Sequence, residues 1–293
     1  MPKTPKVSVL IPTYNYARYL DEAISSVLAQ SFSDFELIIV DDQSKDNTDE
    51  VVKKYLADPR VSYYKNPVNL GLVGNFNKML EYANGEYIKY LLADDKWDST
   101  LLEKFVAVMD THPGVSLVTS FSNTFGSVNQ LRELPLKGLQ PGRKVIMDCL
   151  RHGKGNWIGE PTVVMFRKRD LHVGKFNPEY ICLVDLDMWL RLLTTGDCYI
   201  IPEALASFRV HSVQASNKGS IRNWFDEYYF FRDIKKKNVY KIEISELDID
   251  EVIKRKAKKC VKRVSTIMPK FYKKGNLSLI MEGLKIGRTE KVI

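Results

Sequence analysis

Short apolar runs alternate with helix-period segments over the N-terminal part of the chain. The runs are continuous, which is typical of strands buried on both faces of a sheet. They lie at Val7–Ile11, Glu36–Val40, Val61–Tyr64, Tyr87–Leu92 and Val115–Thr119. Between them, apolar side chains recur three and four positions apart, as at Leu20, Ala23, Ile24 and Val27. This alternation predicts an α/β fold built on a parallel sheet.

The pattern is weaker in the second part of the chain. Gly126–Gly155 has many glycines and prolines and no clear period, which predicts loops and short elements. Helical spacing predicts a helix at Asp185–Leu193 and mostly helical structure from Ile221 onward. Further strands are predicted at Pro161–Phe166, Tyr199–Ile201 and Ala206–Val210. We therefore expect a main domain at residues 1–215 and a helical extension at 216–293.

Length and composition exclude several classes of protein. The chain has 293 residues, 44% hydrophobic and 27% charged, which excludes a disordered or fibrous protein. No apolar stretch approaches the roughly 18 residues of a membrane-spanning helix, and the N-terminus has no signal-peptide pattern. A disulfide scaffold or a zinc site is not expected, because the cysteines are scattered. They are Cys149, Cys182, Cys198 and Cys260. A cytoplasmic location is therefore expected.

The positive charge is concentrated at the C-terminal end. The formal net charge is +8, and residues 235–293 contain 17 basic against 7 acidic residues. Apolar residues from Val252 to Met268 recur there at helical spacing, with lysines between them. Such a helix either lies on an anionic membrane, here the inner face of the cell membrane, or packs on the main domain. Both alternatives stay open. Nucleic acid is not an expected partner, because the chain lacks a nucleic-acid-binding signature.

Three polar segments follow predicted strands, at Pro12–Asn15, Asp41–Asp42 and Asp94–Asp95. In open α/β sheets, ligands bind beyond the carboxyl ends of the strands. A dinucleotide-binding domain has GxGxxG after its first strand, where the backbone approaches a pyrophosphate. Here no glycine precedes Gly71. The negative charge of a bound diphosphate must therefore be neutralised by another group.

The pair Asp94–Asp95 can provide this neutralisation by binding a cation. Two adjacent carboxylates repel each other unless a cation lies beside them. Mg²⁺ and Mn²⁺ often bind through one or two carboxylates together with substrate phosphates. At the end of a buried strand, the pair predicts a divalent metal site that stabilises a departing diphosphate. A surface turn is the alternative explanation.

Five segments together resemble a known family. Val7–Asn15 (VSVLIPTYN), Leu37–Ser44 (LIIVDDQS) and Gly85–Asp95 (GEYIKYLLADD) occur in this order. With Asp185–Arg191 (DLDMWLR) and Arg209–His211, they resemble bacterial family 2 glycosyltransferases of the GT-A fold over residues 6–215. The resemblance implies a Rossmann-like, mostly parallel central sheet flanked by helices. The basic, helical C-terminal extension lies beyond it.

The resemblance also implies a reaction. A sugar would pass from a nucleotide-sugar donor, expected to be a UDP-sugar, to a hydroxyl of a glycan or lipid-linked acceptor. The anomeric configuration would invert in one direct displacement, assisted by Mn²⁺ or Mg²⁺. The alternative is a catalytically inactive sugar-nucleotide-binding or scaffold protein of a glycan assembly complex, which turnover would distinguish.

Positions in the matching motifs assign roles by resemblance. Asp185 would be the general base and Asp95 the main metal ligand, together with His211. Arg209 and His211 would face the diphosphate. Residues expected to bind the nucleotide are Pro12, Thr13, Tyr14, Asn15, Asp42, Asn69, Gly71, Asn77 and Asp94. Those expected to meet the acceptor or the sugar are Trp157, Glu160 and Asp187. Three positions depart from the family's usual pattern: Phe76, Leu92 and Val184.

Helix geometry bears on the choice of base. Asp187 and Arg191 are four residues apart and can form a surface ion pair. Asp185 shares another face of the predicted helix with Trp189. A carboxylate beside an aromatic wall, away from cations, has a raised pKa that suits a base. We therefore prefer Asp185 as the base and keep Asp187 as the alternative; a third possibility is that both are solvated charges of the helix.

Overall fold

Ten strands form one sheet in the described part of the chain. The computed structural model describes residues 4–151, 156–180, 182–211, 221–270, 272–273 and 275–293. The strands are β1 (Val7–Thr13), β2 (Phe35–Asp41), β3 (Val61–Lys65), β4 (Tyr87–Tyr90), β5 (Lys96–Trp97), β6 (Val115–Gly126), β7 (Gln130–Arg132), β8 (Gly138–Gln140), β9 (Met165–Arg167) and β10 (Asp197–Val210).

The strand order is β3-β2-β1-β4-β9-β6-β10-β5, with β7 beside β6 and β8 beside β10. The first four strands of this order are parallel, as predicted from their continuous apolar runs. Strand β9 is antiparallel to both β4 and β6, so the sheet is mixed beyond β4. Thr13 lies opposite Asp41, which brings the carboxyl ends of β1 and β2 together at one edge.

Helices flank this sheet and bury their apolar faces. In the first of them, the predicted positions Leu20, Ile24 and Val27 are fully buried. In chain order, all α-helices of the described residues, whether beside the sheet or in the C-terminal region, are α1 (Ala17–Leu28), α2 (Thr48–Lys53), α3 (Gly71–Tyr82), α4 (Leu101–Thr111), α5 (Gly142–Arg151), α6 (Val184–Leu192), α7 (Ile221–Lys237), α8 (Ile249–Ile267) and α9 (Asn276–Thr289). The α/β class predicted from the sequence is confirmed.

Helix α5 contradicts the expectation of loops and short elements in Gly126–Gly155. Its residues Val145, Ile146 and Leu150 are buried. The helix begins directly after Pro141, and the neighbouring glycines and prolines hide its short apolar face in the sequence. The last part of the predicted segment, residues 152–155, lies outside the described residues.

The chain divides into two compact units. The first comprises Met1–Val145, Asn156–Pro178 and Asp185–His211, and the second comprises Ile146–Gly155, Glu179–Val184 and Ser212–Ile293. The predicted boundary between residues 215 and 216 lies outside the described residues. A separation of domains at that point stays a prediction.

Helix α8 of the second unit packs against α7 and α9. Its apolar stripe is buried at Ile249, Val252, Ile253, Ala257, Cys260 and Val264. A Cβ added at Gly283 of α9 would lie 2.3 Å from Val264 Cγ2, so glycine permits this close approach. The stripe is therefore covered within its own unit. Across the described ranges, no helix is long and apolar enough to cross a membrane.

Candidate active site

The turns after β1 and β2 are joined by hydrogen bonds. The Asn15 N–H donates to Ser44 Oγ (2.8 Å), and the Lys45 N–H donates to Asn15 Oδ1 (2.7 Å). Asn15 has a φ of 57°, a left-handed conformation that asparagine tolerates better than most residues. Pro12 and Thr13 are buried in β1, whereas Tyr14 is 44% exposed.

Thr13 carries a polar atom that the described part of the chain leaves unsatisfied. The residue is 3% exposed, and no described residue forms a hydrogen bond with its hydroxyl. Buried polar groups usually have a partner, supplied by protein, water or ligand. The hydroxyl lies at the edge where the sequence predicts nucleotide binding, so a ligand there could satisfy it.

Asp42 forms hydrogen bonds with the backbone at the start of α3. Its buried carboxylate accepts hydrogen bonds from the N–H groups of Leu70 (2.8 Å) and Gly71 (2.9 Å). It also accepts one from Asn66 Nδ2 (2.8 Å). A carboxylate at a helix N-terminus satisfies unpaired N–H groups and favours the helix dipole. The predicted contact of Asp42 with a nucleobase stays a prediction beside this structural role.

Three further predicted nucleotide ligands shape the surroundings of α3. Asn69 Nδ2 donates to the backbone oxygen of Asp42 (2.8 Å), and Gly71 adopts a φ of 72° at the first position of the helix. Asn77 Nδ2 donates to the Phe176 carbonyl, and Asn77 Oδ1 accepts from the Phe176 N–H, both at 2.9 Å. Asn77 therefore fixes the loop before α6, and its nucleotide contact stays a prediction.

The fold brings the ends of β4 and β10 together around Asp94 and Asp95. Asp95 is 1% exposed. Its Oδ1 accepts from the Arg209 N–H (2.9 Å), and its Oδ2 accepts from the Thr162 hydroxyl. Asp94 Oδ2 lies 3.0 Å from His211 Nε2. The resemblance predicted that Asp94, Asp95, Arg209 and His211 belong to one site, although 114 residues of chain separate Asp95 from Arg209. It did not include Thr162.

Arg209 is held between two partners at this edge. Its Nε donates to the Asp94 carbonyl (2.8 Å). Its guanidinium also forms an ion pair with Glu22 of α1. The guanidinium is thus oriented beside the acidic pair, where the sequence predicts a diphosphate.

The acidic pair has the electrostatics of a cation site. Burial and the neighbouring charge of Asp94 raise the pKa of Asp95 well above its ordinary value. In the described residues, no three His, Cys, Asp or Glu side chains form a ready metal cluster. The carboxylate oxygens nevertheless suit Mn²⁺ or Mg²⁺, whose remaining ligands commonly come from substrate phosphates and water. The residues present therefore fit the predicted cation.

Asp185 lies in the first turn of α6 and is partly exposed. Its Oδ1 accepts from the Leu186 N–H (2.7 Å), and its Oδ2 accepts from Asn156 Nδ2 (3.2 Å). Loss of solvation raises its pKa to about 7, and the negative charge of Glu160 adds to the increase. Such a carboxylate can take up and release a proton near neutral pH.

Asp187 has different surroundings. Its Oδ2 accepts from Arg191 Nε (3.0 Å) and from the terminal NH2 nitrogen (2.7 Å). Arg191 in turn donates to the carbonyls of Val173 and Gly174. The predicted pairing exists, but its placement at the surface is wrong, because the two side chains are only 3% and 13% exposed. Packing of α6 against the loop before it buries the pair.

A cavity of about 280 Å³ lies beside the predicted base, with Trp157 and Glu160 in its wall. Glu160 forms an ion pair with Arg132 of β7 (2.7 Å). Asn156 lines the cavity and also contacts Asp185. The predicted acceptor residues Trp157 and Glu160 are thus grouped near the base, whereas Asp187 is paired with Arg191.

Three side chains that sequence reasoning missed complete these contacts. They are Glu22, Arg132 and Thr162. Each is an ordinary polar residue whose partner is distant in sequence. No local pattern marks them, and only the three-dimensional fold brings them to the site.

The sequence model of the family described as Glycosyl transferase family 2 matches residues 8–170. The chain belongs to this family. TuaG of Bacillus subtilis, described as a putative teichuronic acid biosynthesis glycosyltransferase, is 34% identical over 75% of this chain and 86% of its own. EpsE of the same organism, described as a putative glycosyltransferase, is 34% identical over 71% and 74%.

Solved structures of other proteins agree with the GT-A fold. S. aureus TarS 1–349 in complex with UDP-GlcNAc has a TM-score of 0.71 and 18% identity, covering 95% of this chain and 79% of its own. The mannosyltransferase PcManGT of Pyrobaculum calidifontis, solved with GDP-Man and Mn²⁺, has a TM-score of 0.60 and 17% identity, covering 97% and 86%. At these identities the likeness establishes the fold. The chain is a family 2 glycosyltransferase.

Proposed function

We propose that this glycosyltransferase transfers a sugar from a UDP-sugar to a hydroxyl of a glycan or lipid-linked acceptor, with inversion of the anomeric configuration. The main support for the proposal is the partly exposed Asp185 carboxylate. It has a pKa of about 7 and lies beside the cavity whose wall includes Trp157 and Glu160. A base with this pKa accepts a proton from a hydroxyl near neutral pH. The teichuronic acid role in TuaG's description supports a bacterial polysaccharide pathway, and the UDP-GlcNAc complex of TarS supports a UDP-sugar.

In the proposed reaction, Asp185 accepts the proton of the acceptor hydroxyl as the hydroxyl oxygen attacks the anomeric carbon. The bond from that carbon to the diphosphate oxygen breaks in the same step, and the proton remains on Asp185. Trp157 and Glu160 position the acceptor, while Arg209 faces the leaving diphosphate. Asp95 and His211 would hold Mn²⁺ or Mg²⁺, which supplies positive charge near that diphosphate when bound.

The nucleotide is assigned to the edge formed by the ends of β1, β2 and β4. The unsatisfied Thr13 hydroxyl supports this assignment, together with the exposed Tyr14 and the Asn15 turn. Asp94 contacts the ribose or the sugar. Further proposed nucleotide contacts are Asp42, Asn69 and Gly71 around the start of α3 and Asn77 within it; the hydrogen bonds described above hold each of them in place.

Release of nucleoside diphosphate tests the proposed reaction. Purified full-length protein with Mn²⁺ would be incubated with UDP-, dTDP- and GDP-sugars, with simple glycosides as acceptors. We expect release from UDP-sugars, stimulated by an acceptor, and a product of inverted configuration by NMR. Binding of a donor without any release would favour the inactive sugar-nucleotide-binding alternative. Retention of configuration would contradict a single displacement.

The raised pKa of Asp185 predicts the pH dependence of the reaction. The base must be ionised to accept a proton, so kcat/KM should fall about tenfold for each pH unit below about 7 and level off above it. Glu160→Gln removes a negative charge that raises this pKa, so the midpoint should move to lower pH. Initial rates between pH 5 and 9 measure both effects. A flat profile across this range would exclude Asp185 as the base.

We further propose that an anionic membrane surface is a partner of the second unit. Six exposed cations follow one face of α8, at Lys254, Arg255, Lys258, Lys259, Lys262 and Arg263. Their spacing of four residues places them in two adjacent rows along the helix. Because the apolar stripe of α8 is buried, the attraction would be electrostatic and sensitive to salt. The proposed location is the inner face of the cytoplasmic membrane.

Vesicle flotation tests this partner. Each cation near an anionic surface contributes about 1 kcal/mol, so changing Lys254, Lys258 and Lys262 to Gln should weaken binding about 100-fold. The matched control changes three exposed lysines of the first unit, Lys53, Lys137 and Lys144, and should retain most of the binding. Vesicles of phosphatidylglycerol and phosphatidylcholine serve as the probe. Equal flotation of both variants, or none by the wild type, would contradict the proposal.

A further inference from the structure

Lys89 is a fully buried lysine in the middle of the sheet, on β4. Its Nζ donates to the Thr162 carbonyl and lies 3.4 Å from the Tyr90 carbonyl and 3.5 Å from the Pro161 carbonyl. It also lies 4.6 Å from the centre of the Trp97 ring. Among the described residues, no carboxylate forms a direct ion pair with it. Burying an ammonium group without a paired carboxylate is costly, so this position requires an explanation.

The turn that Lys89 holds also holds Asp95. The sequence predicts a strand at Pro161–Phe166, but the first half of this segment, Pro161–Val163, forms a short 3₁₀ turn. The Thr162 carbonyl accepts from both Lys89 and Trp97 Nε1, the latter at 2.9 Å. The Thr162 hydroxyl donates to Asp95 Oδ2 and accepts from the Leu92 N–H (3.3 Å). One residue thus connects the buried ammonium to the predicted metal ligand.

The surroundings of Lys89 point to the turn that holds Asp95, whose charge also attracts the buried Nζ group. It is absent from the wall of the described cavity and from the surface. An apolar side chain of similar length would fill the same space among Trp97 and Phe105 without the desolvation penalty. What an apolar residue cannot provide is N–H donors that fix the carbonyl groups of Pro161 and Thr162. The distinctive contribution of the ammonium is therefore the placement of this turn.

We propose that Lys89 is a positioning residue that acts through Thr162 to orient the Asp95 carboxylate for a divalent cation. The proposal rests on the proposed function, because it assigns a metal to Asp95. Loss of a partner that orients a metal ligand commonly weakens metal binding by 10–100-fold. Trp97 still holds the Thr162 carbonyl when Lys89 is replaced. The expected loss is therefore about tenfold, at the lower end of that range.

The test measures the Kd of Mn²⁺ in the presence of UDP, from the electron paramagnetic resonance signal of free Mn²⁺, on full-length variants. Lys89→Met removes the donor and keeps the side-chain length, and Thr162→Val removes the hydroxyl that meets Asp95. Each should raise the Kd about tenfold. The double variant should be little weaker than either single variant, because both act through one turn. Thr162→Ser, which keeps the hydroxyl, should stay close to the wild type.

Arg167→Met is the matched control. Arg167 is also a buried cation that donates to carbonyl groups, those of Val115, Met109 and His112. On β9 it lies opposite Tyr87 at the start of β4, whereas Asp95 follows the end of β4. Its replacement should lower the thermal stability but leave the Mn²⁺ Kd unchanged. If Lys89→Met does not fold, Lys89→Gln, which keeps a neutral N–H donor, should show a smaller rise in Kd.

The outcomes separate this proposal from the proposed function. A Lys89→Met protein, or Lys89→Gln in its place, with the wild-type Kd would overturn the role of Lys89 alone. A double variant whose effects add fully would also overturn it, since the two residues would then act independently. If the wild-type chain binds neither Mn²⁺ nor UDP, the metal assignment itself fails and the Lys89 proposal fails with it.

Discussion

Asp185→Asn should lower kcat about 1000-fold, because asparagine cannot accept the proton of the acceptor hydroxyl. The substitution keeps the shape of the side chain and can retain the hydrogen bond with the Leu186 N–H. The Kd for UDP, measured by calorimetry, should therefore change less than twofold. Steady-state rates with a saturating donor measure the loss. A variant with more than a tenth of the wild-type kcat would exclude Asp185 as the base.

Asp187→Asn is the control that separates the two carboxylates of α6. It breaks the buried pair with Arg191 and should lower the free energy of unfolding by about 3 kcal/mol, measured with urea. Arg191 keeps its carbonyl partners, so the loop before α6 stays attached and the folded protein should retain most of its turnover. A large loss of kcat here, with little loss in Asp185→Asn, would reverse the assignment.

Asp95→Ala should weaken Mn²⁺-dependent UDP binding by at least about 100-fold, since it removes the main proposed ligand of the cation. The substitution also leaves the Thr162 hydroxyl and the Arg209 N–H without their acceptor. Calorimetry at saturating Mn²⁺ measures the effect.

Asp170→Ala is a suitable control for the loss of a buried aspartate. Asp170 is 8% exposed and lies in the segment after β9. The N–H of Lys168, at the start of this segment, donates to the Glu86 carbonyl oxygen. Glu86 precedes β4 whereas Asp95 follows it, so Asp170 is remote from Asp95. UDP binding should be unchanged in this variant. An equal loss in both variants would mean that Asp95 acts only through folding stability.

The N-terminal strands were predictable because their side chains are buried on both faces. Val7, Leu37 and Ile88 belong to such continuous runs, and each is fully buried. The long strand β10 was predicted as two strands, Tyr199–Ile201 and Ala206–Val210. The polar break at Pro202–Glu203 coincides with a register shift against β6, a β-bulge that lets one strand continue through an interrupted pattern.

The candidate site was predictable where the chemistry is local in sequence. Asp94 and Asp95 are adjacent and follow a strand, so their pairing needed no tertiary information. The hydrogen bond of Thr162 to Asp95 spans 67 residues, and the contact of Arg209 with Glu22 spans 187. Such partners are set by the packing of distant elements, which apolar periodicity does not encode. For the same reason, the sequence pointed to Asp42 as a ligand but not to its hydrogen bonds with α3.

Calorimetry of UDP, dTDP and GDP on the wild-type protein, with and without Mn²⁺, measures whether the ends of β1, β2 and β4 hold a nucleoside diphosphate with a divalent cation. We predict that UDP binds more tightly than the other two nucleotides, and at least about tenfold more tightly with Mn²⁺ than without it. If no nucleotide binds under either condition, the account of a metal-assisted donor site is contradicted.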